Sequence, residues 1–121
     1  MDIIPDSFDI RDLTDLEFMI FTRLRVGKEN ATSNNDFRDY LNNSLRFRNT
    51  DWRDVRKAMA SLRLEHGLRI CNMEDGRGFY IAANYQEYKE YRHKLINRAK
   101  ALYRTVQSMD NKQPSQMELE I

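Results

Sequence analysis

A chain of 121 residues is long enough for one compact domain and one further element. Hydrophobic residues make up 40% and charged residues 32%, which allows a modest core; four glycines and two prolines argue against a turn-rich all-β fold, and the single cysteine, Cys71, excludes an internal disulfide. The net charge of +1 conceals segregation: residues 1–17 carry six carboxylates against one arginine, residues 38–69 eight basic side chains against four carboxylates, and residues 86–104 six against two.

Residues 1–12, with Pro5 and spaced acids, are expected to form a loosely ordered acidic arm. Thr14 then opens a helix over 14–26. Its hydroxyl is placed to cap the first turn while Glu17, three residues on, reaches back, and Leu13 and Phe18 are spaced as a hydrophobic staple. Leu16, Ile20 and Leu24 supply the buried face, and Gly27 suits the stop. Ser33 with Asp36 caps a short helix over 34–42 that buries Phe37, Tyr40 and Leu41. The connector 45–49 carries Arg46, Phe47 and Arg48. A third helix, 51–65, is capped by Thr50 or Asp51, has Val55, Ala58, Met59 and Leu62 on its apolar face, and ends at Gly67.

The period then shortens to that of strands. Leu68, Ile70 and Asn72 alternate with Arg69 and Cys71; the loop 73–78 centres on Asp75-Gly76, and Phe79 to Ala82 returns. Asn84 with Glu87 caps a last helix over 85–109. Leu95, Ala99, Leu102, Val106 and Met109 repeat at intervals of four and three, with Tyr88 one heptad earlier and Arg92 interrupting the seam. About 25 helical residues span roughly 37 Å, more than so small a domain needs. The stripe either packs back on its own core or pairs with a second copy, and the homodimer is the favoured expectation. The polar stretch 110–121 is expected to be disordered. The expected divisions are an arm over 1–12, a core domain over 13–83, the long helix over 84–109 and a tail over 110–121.

Helix, short helix, helix and hairpin is an α+β order, mainly α. The run Val55-Arg56-Lys57-Ala58-Met59, then Leu62-Arg63, a glycine, Ile70, a turn and Gly78-Phe79-Tyr80-Ile81, resembles winged helix-turn-helix DNA-binding proteins of bacteriophages and prophages. The resemblance covers about residues 14–106 and departs from a tight helix–turn–helix in its long connector, 42–49. It implies that the helix over 51–65 enters the major groove of double-stranded DNA and that the hairpin is the wing.

The residues fit that role. With the apolar face inward, Arg53, Arg56, Lys57 and Arg63 are left exposed or at the margin, and a guanidinium pairs bidentately with guanine, so Arg53 and Arg56 are the candidates for base edges. Lys57, Arg46 and Arg48 are expected on phosphates, Asn49 and Thr50 at the helix start, and Arg77, at the wing tip, on an adjacent minor groove or the backbone. The plainer reading of Arg53 and Arg56 is surface ion pairing; Trp52 is expected to pack over the second helix rather than stack on a base.

His66, Cys71 and His93 do not make a metal spacing, and nothing suggests an activated nucleophile, so no metal, cofactor or catalysis is expected. No apolar run approaches the roughly 18–20 residues of a membrane span, and the acidic start is unlike a signal peptide, so the expected location is the cytoplasm. Gln116, Leu119 and Ile121 in the tail resemble a peptide that docks on the bacterial sliding clamp. The alternative function is a protein–protein adaptor or inhibitor that engages a host protein through the last helix or tail.

Overall fold

A computed structural model describes residues 3–112. Those residues form four helices, α1 (Asp15–Arg23), α2 (Asn34–Asn42), α3 (Trp52–Leu64) and α4 (Tyr85–Lys112), and one antiparallel pair of strands, β1 (Ile70–Asn72) and β2 (Phe79–Ile81). The chain is therefore mostly helical with a small sheet. It divides into two compact units, Met1–Tyr88 and Lys89–Ile121.

The helix starts reflect local side-chain chemistry. Glu17 N–H donates to Thr14 Oγ1 at 3.2 Å and Thr14 N–H to Glu17 Oε1 at 2.8 Å, which closes the expected capping box. Ser33 caps α2 by accepting from Asp36 N–H, and Asp51, rather than Thr50, caps α3 by accepting from Arg53 N–H at 3.1 Å. Asn84 accepts from Glu87 N–H at 3.0 Å, while the Glu87 carboxylate accepts from Ala83 N–H and from Lys28 N–H.

α1 ends at Arg23, short of the expected residue 26, because the sheet claims the next stretch of backbone. Arg25 C=O accepts from Ile81 N–H, Gly27 N–H donates to Ile81 C=O, and Thr32 and Phe79 exchange both backbone hydrogen bonds. Segment 25–32 thus flanks β2 on the side away from β1. Thr32 is fully buried and its hydroxyl donates to Arg23 C=O, one of the carbonyls left open at the end of α1. Gly78 makes this pairing possible. Its φ is +133°, and a Cβ there would lie 2.1 Å from the Thr32 carbonyl oxygen, so no side chain fits. Gly67, at φ +68°, ends the α3 segment, with its N–H on Arg63 C=O and Leu68 N–H on Leu62 C=O.

The core of the first unit is Ile20, Phe37, Leu41, Val55, Met59, Leu62, Leu68, Ile70 and Ile81. The expectation of a loosely ordered arm is corrected from residue 3 onward. Ile3 and Phe8 pack against this core, and the Phe8 ring lies 5.1 Å from that of Phe21. Burial of these apolar groups offsets the ordering of a polar stretch. The hairpin register pairs Ile70 with Ile81, Cys71 with Tyr80 and Asn72 with Phe79. Strict alternation fails, since both Ile70 and Cys71 are buried. The face carrying Arg69 and Cys71 is covered too: Tyr80 is buried opposite Cys71, and the Arg69 guanidinium lies over the rings of Tyr85 and Tyr88, 4.3 Å from the latter.

In the second unit, the described residues 89–112 are one continuous helical stretch with no buried residue. No helix among the described residues is long and apolar enough to cross a membrane. The expected helix end at residue 109 is corrected: α4 continues through Lys112, and the rest of the expected tail, with Gln116, Leu119 and Ile121, lies outside the described residues.

Candidate nucleic-acid interface

α3 sorts its side chains by helical period. Val55, Ala58, Met59 and Leu62 are buried, and Arg53, Asp54, Arg56 and Lys57 are exposed. Among the described residues, no side chain forms an ion pair with Arg53, Arg56 or Lys57, so three cations on the first two turns face solvent without a partner. The plainer expectation, that Arg53 and Arg56 are spent on neighbouring acids, does not hold for the described residues.

The connector is more divided. Arg48 and Asn49 are exposed, and Thr50 is half-buried with its N–H on Phe47 C=O. Arg46 is occupied: it pairs with Asp15 at 2.5 Å and its guanidinium lies over the Phe47 ring. This pair is well exposed, so its net strength is small, and a phosphate has only to displace a solvated carboxylate. Arg77 is exposed in the hairpin loop, with its backbone N–H on Glu74 C=O.

Two arginines lie outside the expected set of DNA contacts. Arg63, expected exposed or at the margin of α3, is half-buried and structural. Its Nε donates to Ile70 C=O at 2.9 Å and its Nη2 to Asn72 Oδ1, which ties α3 to the first strand of the hairpin. Arg38, on the exposed side of α2, lies over the Trp52 ring at 4.6 Å. Trp52 is half-buried against the core and, as expected, meets the second helix. A signal for Arg38 existed: burial of Phe37 and Leu41 leaves position 38 facing out, one helix away from the tryptophan.

The hairpin is fixed at both ends. Its base is held by segment 25–32 and Arg63, and its tip by Asn34 Nδ2, which donates to Gly76 C=O at 3.0 Å. The tip therefore rests on the first turn of α2. No family model, curated protein or solved structure matches this chain.

Cys71 carries no exposed thiol chemistry. It is buried, and burial pushes its pKa up to about 11, far from the thiolate a nucleophile needs. Among the described residues no group of three or more His, Cys, Asp or Glu side chains is arranged to hold a metal ion. Of the expected dimer stripe, Leu95, Ala99, Leu102, Val106 and Met109 are exposed in the second unit, while Tyr88 belongs to the first unit and is engaged by Arg69.

Proposed function

We propose that this chain is a winged-helix protein of bacteriophage or prophage type that binds double-stranded DNA in the cytoplasm, in replication or transcriptional control, without catalysis. The observation that carries the reading is the outer face of α3, where Arg53, Arg56 and Lys57 stand exposed and unpaired among the described residues on a helix whose opposite face is buried. A helix anchored by one face presents the other to a major groove about 12 Å wide, and guanidinium groups there recognise guanine edges. Lys57 and Arg48 contact phosphates, and Arg77 reaches the backbone from the wing.

The test is fluorescence anisotropy with a labelled duplex across roughly 50–200 mM salt. Binding that weakens steeply with salt is expected. Absence of binding at micromolar protein and low salt overturns the reading.

A second observation favours a further element of it. Leu95, Leu102, Val106 and Met109 repeat at helical spacing and are exposed. We infer that this stripe pairs with a second copy, giving a homodimer that spans two half-sites. The same stripe serves the adaptor alternative, in which a host protein covers it.

A further inference from the structure

The expected DNA-contacting residues lie on α3, its preceding connector and the wing. The geometry adds a place between them. Where the wing tip rests on α2, Arg38 and Arg77 line one open cleft of about 420 Å³ whose other walls are Ser33, Asn34, Asn35 and Gly76. Arg38 also lines a second cavity, of about 170 Å³, with Asn42, Thr50 and Trp52 at the start of α3. Arg38 is thus the shared wall between the wing seam and the entrance to α3. Among the described side chains, no carboxylate lines either cleft. The nearby Asp36 is taken up by Arg23 at 2.5 Å and by Arg25 at 3.7 Å.

Resting on the DNA-binding reading above, we propose that the seam between the wing tip and α2 grips one sugar-phosphate strand of the duplex, with Arg38 as its central contact and Arg77 as its second. The Trp52 ring fixes one face of the Arg38 guanidinium and leaves the N–H edges open, which is how a planar fork meets a phosphate in two parallel hydrogen bonds. Holding the side chain before binding reduces the rotamer freedom lost on contact. The amides and hydroxyl around the two arginines supply neutral donors to the same strand. Asn34 has one task already, its hydrogen bond to Gly76, and that bond keeps the two arginines on one cleft. The contact positions the protein and reads no sequence; reading is left to Arg53 and Arg56.

The test uses the full chain and one labelled duplex, with the slope of log K against log salt measured for wild type, Arg38→Gln, Arg77→Gln, Arg38→Lys and the control Arg11→Gln. Arg11 is an exposed arginine paired with Asp9 near the N-terminus. Loss of one phosphate contact makes the slope shallower by about 0.9. Each glutamine variant at positions 38 and 77 is expected to show that change on every duplex sequence tried, Arg38→Lys to keep most of the wild-type slope, and Arg11→Gln to match wild type. Thermal melts check folding, and if Arg38→Gln is unfolded, Arg77→Gln carries the test of the same cleft. If wild type binds but both glutamine variants keep its slope, the seam is not a phosphate contact and the α3 reading stands. If wild type binds no duplex, the DNA-binding reading itself falls, and the seam with it.

Discussion

At Gly78 the fold leaves no room for a side chain. The left-handed φ strains any L residue, and the space a Cβ needs is filled by Thr32 C=O, the acceptor that holds Phe79 N–H. Gly78→Ala is therefore expected to cost about 2–4 kcal/mol, seen as a lower urea midpoint with an unchanged slope. Gly76, with open space around its Cα, is a milder site despite its φ of +69°. Glu17 gives the residue scale its pH dependence. It is buried, with Oε1 on Thr14 N–H and Oε2 3.7 Å from His66 Nε2, and the Ser61 hydroxyl lies beside the carboxylate. Burial alone would raise its pKa, but the Ser61 hydroxyl, the backbone N–H and hydroxyl of Thr14 and the nearby imidazole outweigh that and hold it below the usual 4.5. A carboxylate whose folded pKa is depressed stabilises the fold fully above its unfolded value and loses that contribution as pH falls through the folded value. The melting temperature should therefore drop as pH falls below about 4.5, and Glu17→Gln should flatten that acid limb while lowering stability at neutral pH. An acid limb unchanged in the variant would remove Glu17 as its source.

At the scale of elements, the helix starts were legible because caps are local. Thr14 with Glu17, Ser33 with Asp36 and Asn84 with Glu87 each signal through a spacing of three, and each makes the expected bond. The buried face of α3 was equally legible, since its period depends only on its own residues. Apart from α4, which runs on to Lys112, the main departures of the structure from the sequence involve distant partners. α1 stops early because β2, more than fifty residues on, pairs with 25–32; Ile3 and Phe8 dock on a core formed later in the chain; Arg46 meets Asp15, and Arg38 meets Trp52. No spacing rule encodes such contacts. The same local chemistry yields a prediction with two opposite signs. Asp51 caps α3, so Asp51→Ala is expected to cost about 0.5–2 kcal/mol of stability. Asp51 is also an exposed carboxylate at the end of α3 proposed to meet phosphates, so the same variant should bind duplex more tightly at low salt. Denaturation and anisotropy on one preparation separate the two. Weaker binding would mean that the carboxylate orients the reading arginines instead of repelling the backbone.

For the whole molecule, the open issue is what covers the stripe on the second unit. Helices in proteins gain most of their stability from packing an apolar face rather than from propensity. Leu95, Ala99, Leu102, Val106 and Met109 supply such a face, and each of them is exposed. Pairing with a second copy buries the stripe without adding a new sequence, and the intervals of four and three are those that two helices need to stay in register. Leu102 lies at its centre, 65% exposed. Leu102→Glu places a charge in the proposed seam, so sedimentation should move from twice the chain mass to the chain mass at the same concentration. Helical circular dichroism should fall with it, because the unpaired helix frays. DNA binding should weaken on a duplex with two half-sites and change little on one half-site, since the loss is one of avidity. Identical sedimentation of variant and wild type as dimers would place the seam elsewhere. A wild-type chain that is already a monomer at high micromolar concentration would leave the stripe to a different protein, and the adaptor reading would then gain over the dimer.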